Sequence, residues 1–416
     1  MTHVDVAENG SFEIPDLASP EIVADPYPVY DRLRGRSPFF GYRDLPPGTV
    51  PGIDEPVPAW VLLKYDDVAA AAMDHETFSS EDPTQTNSAA PTLMLVNHDE
   101  PRHNQLRKVV NVAFSRRRID KLKPWMDGML VEMFAELVPK GEASSSFDFA
   151  ERFASLMPAR VMAHLYGVSD GVSENFRKWA SAFMLSADLS PEQRGISNQE
   201  MVEYFATTVN EVVAGKQENS GLISALIAAE DEGDTLTLDE VIRFCHTLVV
   251  AGAETTTGML ANVTYQLATL PDIQAQLRED RSLIPDFIEE TLRLTGPPQR
   301  LFRIATRDVE LSGAQIKKGD WVAIFFGAAN RDPSVFEDPD VFRLGRPDVR
   351  KHMSFGIGIH HCLGMRLAKL ETECALNALL DCSASVELGT EPHQKQTASL
   401  LTHTYTYLPI TIRRAS

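Results

Sequence analysis

The sequence predicts a mainly α-helical protein with small β-sheets, folded as one large domain. Three observations carry this. The stretch from Thr237 to Leu270 reads as one uninterrupted helix, opened by Thr237-Leu-Asp-Glu240 and stopped by Pro271. Apolar residues recur at helical spacing through residues 120–230. Strand-like alternation is confined to short pieces around residues 59–64, 309–325 and 383–416.

Composition sets the bounds. The chain has 416 residues, 43% of them hydrophobic, which is ample for a large core. No Gly/Ser- or Pro-rich linker divides it, and no repeat period stands out. Residues 1–25 read as a flexible N-terminal arm and 26–416 as a single domain. The formal charge of −20 argues against nucleic-acid binding, which needs a basic face. Four cysteines, at 245, 362, 374 and 382, form no C-x-x-C pair and no disulfide framework, as suits a reducing cytoplasm. Met1 to Pro15 is polar and acidic, unlike a signal peptide. No run approaches the ~20 apolar residues that span a bilayer. The expected location is cytoplasmic, without a membrane anchor.

In chain order, Asp25 to Arg34 opens a first helix, with Pro28 in the first turn where its missing N–H costs nothing. Residues 36–58 hold six prolines and three glycines and read as loop. Ala59–Lys64 is strand-like, and Asp66 or Asp67 is placed to cap a helix through Met73. Residues 78–97 are a polar loop ending in the apolar Leu93-Met-Leu-Val96. His103 and Arg107 are four apart, so on a helix they share a face. Between Arg107 and Lys123 lie seven of the chain's 39 basic residues: Arg107, Lys108, Arg116, Arg117, Arg118, Lys121 and Lys123. Asp148–Met157 and Met201–Ala206 show helical periodicity. Phe183-Met-Leu185 precede a polar loop over 187–200.

The long helix spans roughly 50 Å at 1.5 Å per residue, enough to cross the molecule. Its middle, Leu248-Val-Val-Ala-Gly-Ala253, is apolar on every side and is expected to be buried. Glu254-Thr-Thr-Thr-Gly258 follows. An acid and three threonines inside a buried helix are costly unless they serve a purpose. Thr255 can reach the carbonyl four residues back. Further on, Glu290 and Arg293 lie three apart on one helix face.

The last element is Phe355-Gly-Ile-Gly-Ile-His-His-Cys-Leu-Gly364, a glycine-rich loop running into a helix from Leu363 to about Leu380. Glycines at 356, 358 and 364 allow positive φ or close approach to a flat ligand. Cys362 sits near a helix start, where a thiolate is favoured. A thiolate in a tight loop, with Phe355 seven positions before it, is a good axial ligand for haem iron.

With Met365-Arg-Leu-Ala-Lys-Leu-Glu371 the segment reads F-G-x-G-x-H-x-C-x-G-x-x-L-A-x-x-E. It resembles the haem-binding signature of the cytochrome P450 superfamily. Ala251-Gly-Ala-Glu-Thr-Thr256, Asp99-x-Pro-x-His103-x-x-x-Arg107 and Glu290-x-x-Arg293 resemble further motifs of that family, and the likeness extends over nearly the whole chain. It implies a single-domain cytochrome P450 fold in which the long central helix and the cysteine loop sandwich haem b. Absence of a membrane segment makes it similar to the soluble bacterial type.

The resemblance also implies roles. Cys362 is the proximal iron ligand, with Phe355, Gly356 and Gly364 shaping its loop. His103, Arg107, Arg303 and His360 anchor the haem propionates. Ala251 and Gly252 leave room for haem and O2. Thr255 holds the distal oxygen and passes a proton, and Glu254 is the inward end of the relay. Glu290 and Arg293 form a structural ion pair. The family often places an arginine where this chain has Val341, so the third partner is left between Arg343 and Arg346. Leu95, Val96, Leu248, Gly252, Leu301 and Leu400 are expected to line the substrate pocket, with Leu400 and Leu401 as a turn dipping into it.

The function expected is a haem-thiolate monooxygenase inserting one atom of O2 into a small hydrophobic substrate, a terpenoid or aromatic, by hydroxylation or O-dealkylation. Nothing remains for a flavin or iron–sulfur domain, so a ferredoxin-type donor with its reductase is expected, docking on the basic stretch 107–123. The chain is expected to be a monomer. The alternatives are a peroxide-using haem enzyme, a haem-binding sensor or carrier, and a zinc site built from His352, His360, His361 and Cys362.

Overall fold

The computed structural model describes residues 14–42, 57–81, 93–184, 189–231 and 233–415. Residues 43–56 of the loop expected over 36–58, 82–92 of the loop expected over 78–97, and 185–188 at the start of the polar segment expected after Phe183 lie outside these residues.

Helices dominate. In chain order they are α1 (Pro20–Ala24), α2 (Tyr27–Arg34), α3 (Tyr65–Met73), α4 (Arg102–Ala113), α5 (Arg116–Asp120), α6 (Lys123–Leu137), α7 (Leu156–Tyr166) and α8 (Ser173–Phe183). Then come α9 (Pro191–Val213), α10 (Leu222–Ile227), α11 (Leu238–Thr269), α12 (Pro271–Glu279), α13 (Ile284–Thr295), α14 (Phe326–Ala329) and α15 (Met365–Cys382). One hydrophobic core runs through α4 to α13 and α15. Smaller cores lie beneath a mixed sheet of strand order 39–42, 59–62, 321–324, 301–305, 78–79. No helix among the described residues is long and apolar enough to cross a membrane.

α11 is the axis. Its 32 residues make it about 48 Å long. The expected capping box is present: Thr237 Oγ1 accepts from the Glu240 N–H (3.2 Å), and the Glu240 carboxylate accepts from the Thr237 N–H (2.9 Å). α7, α8, α9, α13 and α15 all pack against it.

Several expectations are corrected. The part of the N-terminal arm within residues 14–25 is packed: Leu17 and Val23 are buried beneath the sheet. Neither Asp66 nor Asp67 caps α3. Lys64 is the N-cap, and both acids sit in the first turn, where the positive helix end favours them. Residues 191–200, read as polar loop, begin α9. Ser190 and Gln193 form a reciprocal capping box there, a local signal that the polar composition masked. The helical reading of 148–157 is broken: Ser144–Asp148 is a strand, Ala150–Ala154 a π-turn, and α7 starts at Leu156. That strand pairs with Pro409–Arg414, far away in sequence, which in turn pairs with Ser383–Leu388 to complete the expected terminal sheet.

Candidate active site

The cysteine loop is shaped as its glycines suggest, with one exception. Gly356 and Gly358 have φ of +66° and +73°, and a Cβ on Gly358 would lie 2.9 Å from the Ala72 carbonyl. Gly364 is the N-cap of α15 with an ordinary φ of −83°. The Cys362 N–H donates to the Phe355 carbonyl at 2.9 Å, closing the loop.

The Cys362 thiol corrects a simpler expectation. Burial pushes its pKa up, although the Gly364 and Met365 N–H groups and the Arg107 charge act to lower it. The helix start alone does not make a thiolate here. Metal coordination would, since a coordinating thiol is deprotonated outright.

Around the cysteine the chain gathers two histidines and two arginines. His103 and Arg107 lie on α4, and His360 in the cysteine loop; Arg303 lies on the strand 301–305. The rings of His103 and His360 meet edge to face at 4.7 Å. Burial, then the nearby His360 and Arg107 charges, hold the His103 pKa down at about 4. Its Nε2 is buried without a partner among the described residues. Arg303 is also buried, and burial pulls its pKa down to about 10; its hydrogen bond is to the adjacent Phe302 carbonyl, at 2.7 Å. Buried Arg303, half-buried Arg107 and the unpartnered His103 nitrogen suit an anionic group that accepts hydrogen bonds.

One acid does belong to the cluster and has no role in the sequence reading. Burial pushes the Asp99 carboxyl up, but the nearby His360 ring and hydrogen bonds from Ser79 and the Ser80 N–H outweigh it and hold it below the usual range. His360 Nε2 lies 2.9 Å from Ser80 Oγ and 3.7 Å from Asp99 Oδ1. Asp99 sits four residues before His103, but its partner Ser80 comes from another segment, which no local spacing reveals.

α11 supplies a second wall. Thr255 Oγ1 donates to the Ala251 carbonyl at 2.6 Å, as expected, and the helix continues unbroken through it. The run 248–253 is not buried on every side: Ala251 is exposed, and Leu248 and Thr255 are half-buried, on one strip of the helix. Glu254 is buried and within electrostatic reach of Arg177 on α8, which Glu174 grips at 2.6 and 2.9 Å. Arg177 is a second residue absent from the sequence reading. A half-buried thiol in a glycine loop, an open strip on α11, and arginines and histidines with hydrogen-bonding capacity to spare together fit haem.

The ion pair resolves cleanly. Glu290 accepts two hydrogen bonds from Arg293, both 2.8 Å, and one from Arg346 Nε at 2.9 Å, with all three residues buried. Arg346 is the third partner, and Arg343 contributes only its backbone N–H. Arg293 and Arg346 also donate to the carbonyls of Asn330, Glu337, Asp338, Pro339 and Val341.

Two pocket assignments are corrected. Gly252 turns toward α7, where an added Cβ would lie 3.1 Å from Met162 Sδ, so it serves helix packing. Leu400 is buried in the N-terminal core with Tyr30 and Phe325, because Gln396 holds the turn by donating to the Ser399 and Thr402 carbonyls. Leu401 packs instead on the main core. Leu95 is buried there too, Leu301 is half-buried, and Val96 is 40% exposed. The zinc arrangement fails: His352 bonds Glu289 and His360 bonds Ser80, and no group of three metal-ligating side chains converges among the described residues.

Comparison with known proteins agrees with this geometry. The family model described as Cytochrome P450 matches residues 192–409. The chain is 33% identical over 393 residues to 6-deoxyerythronolide B hydroxylase of Saccharopolyspora erythraea, covering 90% of this chain and 93% of that one. It is 35% identical over 383 residues to cytochrome P450 monooxygenase PikC of Streptomyces venezuelae, covering 89% and 87%. The solved structure of PksS, a cytochrome P450 of the bacillaene polyketide synthase of Bacillus subtilis 168, matches with a TM-score of 0.84 at 29% identity, over 97% of this chain and 100% of that one. A thiol loop, its cluster of arginines and histidines and a threonine helix in one matching fold lead to one conclusion: this chain belongs to the cytochrome P450 family of monooxygenases.

Proposed function

We propose that the protein binds haem b through Cys362 and hydroxylates a compact hydrophobic substrate with electrons from a separate ferredoxin-type donor. The observation that carries this is the half-buried thiol of Cys362 in its glycine loop, with Arg107 and Arg303 as charges and His103 and His360 as hydrogen-bonding groups suited to the two propionates. Haem, when bound, supplies the activation of O2 and the oxygen transfer to substrate.

The chain's own residues do the rest. His103, Arg303 and His360 orient the cofactor by its acidic edge. Thr255 presents a hydroxyl whose hydrogen bond to the Ala251 carbonyl leaves its oxygen free to accept a proton or a second donor. Glu254 carries protons inward from the Arg177 side. Ala251 leaves room beside the strip for a flat group, while Leu248, Leu301 and Leu95 exclude water. The acid–threonine pair favours the O2 route over direct use of peroxide, and has no purpose in a carrier.

Hydroxylation is favoured over O-dealkylation because one relative is named for hydroxylating 6-deoxyerythronolide B. The apolar residues near the strip suit a terpenoid or aromatic. The donor's dock is the exposed run on α5, where Arg116, Arg117, Arg118 and Lys121 face solvent; an acidic partner would be drawn to it. The protein acts as a monomer.

The test is the optical spectrum of purified protein reduced with dithionite under CO. A strongly red-shifted Soret band is expected. Absence of any haem band would overturn the role of Cys362, and a histidine-type band would overturn the oxygen-activation mechanism.

A further inference from the structure

Adjacent acids on α13 serve different regions. Glu290 holds the arginines of the 330–346 segment. Glu289, a helical step of about 100° away, turns to the cysteine loop. Its Oε2 lies 2.8 Å from His352 Nε2 and its Oε1 2.5 Å from Lys369 Nζ on α15. Glu289 and His352 are nearly closed to solvent, with side chains 7% and 5% exposed, while Lys369 is 30% exposed. Burial pushes the Glu289 carboxyl up, but the hydrogen bonds from His352 and Lys369 outweigh it, leaving its pKa at about 2.

The other side of this cluster is the loop. His352 Nδ1 accepts from the Ser354 N–H at 3.2 Å, so Nε2 is the nitrogen that carries the proton to Glu289. Ser354 Oγ donates to the Leu292 carbonyl at 2.7 Å, pinning the segment to α13. Lys369 Nζ stands 5.1 Å from the centre of the Phe355 ring, and the His352 ring stands 6.3 Å from it. Phe355 is the residue whose carbonyl receives the Cys362 N–H. The Lys369 charge also reaches His361, next to the cysteine.

We propose that Glu289, His352 and Lys369 are positioning residues that clamp Phe355 behind the cysteine loop, and that their balanced charges set the reduction potential of the haem iron. This rests on the haem-thiolate reading above. The sign follows from Coulomb's law. Reduction adds an electron, so a bare cation near the iron favours the ferrous state and a bare carboxylate the ferric one. Glu289 and Lys369 cancel each other only while both are charged and paired.

The experiment is spectroelectrochemical titration of the haem-loaded full chain and of Lys369→Met, Glu289→Gln and the double variant. Lys369→Met leaves Glu289 without its cation, and the potential falls. Glu289→Gln leaves Lys369 bare, and the potential rises. The double variant returns toward wild type, and Lys369→Arg stays near it. If Glu289→Gln fails to fold, the contrast between Lys369→Met and Lys369→Arg decides, since both keep the carboxylate. Single variants that shift in the same direction, or do not shift, would overturn the proposal. A wild-type protein lacking the thiolate CO band would instead overturn the haem reading, and the two failures are told apart before any potential is measured.

Discussion

The two walls of the site are built on opposite principles. Behind the cysteine loop, on α13, charge is buried and answered within the protein: Glu290 by Arg293 and Arg346, Glu289 by His352 and Lys369. On the α11 side, polar groups are left with work to do. Thr255 spends its proton on its own helix, Ala251 lies open, and His246 is fully buried with neither ring nitrogen hydrogen-bonded among the described residues. The cysteine loop is held from behind by charge-assisted hydrogen bonds, which suits the rigid ligand proposed for it. The α11 wall leaves groups unsatisfied, which suits the substrate contact and proton transfer proposed for it.

The strongest break of this contrast is Cys362→Ala. Turnover should vanish and the red-shifted CO band with it, while far-ultraviolet circular dichroism stays helical. Next, Glu290→Gln leaves two buried arginines without a counter-charge. A loss of about 3–5 kcal/mol in urea unfolding is expected, together with poor haem incorporation. An unchanged unfolding midpoint would show that the cysteine wall does not depend on its charges.

Thr255→Ala probes the other wall. Its side chain is half-buried and bonds only its own helix, so stability should hold while turnover falls by roughly 10²-fold. Electrons still consumed should emerge as hydrogen peroxide, measured against NAD(P)H oxidation. Retained coupling would remove Thr255 from the proton path.

His246 sharpens the comparison through pH. Burial pulls its pKa down to about 4, below the unfolded value of 6.5, so the native state prefers it neutral. Its contribution is fully present above pH 6.5 and is lost as pH falls toward 4, by about 3 kcal/mol. His246→Phe should flatten that part of the acid limb in stability-versus-pH measurements, packing against Phe183 in its place. The smallest effect concerns the outer face. Charge reversal at Arg116, Arg117 and Arg118 should slow reduction by a ferredoxin a few-fold at low salt and little at high salt. Equal rates at both would remove the dock.

Much of this was legible in the chain because the signals are local. A capping box and a terminating proline bound α11 to within a residue of its observed ends. Positive-φ glycines and a cysteine at fixed offsets define a loop whose shape depends on its own backbone. The i, i+3 pair Glu290–Arg293 needs only helical geometry. What no window of sequence contains is the meeting of distant segments. Arg346 completes the ion triad because the 330–346 segment folds back on α13. Asp99 and Ser80 reach His360 across some 260 residues or more, and Glu289 finds Lys369 80 residues on. Leu400 and Gly252 carry the same residue types a pocket would want, yet packing against Phe325 and Met162 turns them elsewhere. Covalent neighbours and helical period fix where a side chain starts; burial, charge balance and the fit between elements far apart in the chain fix what it touches.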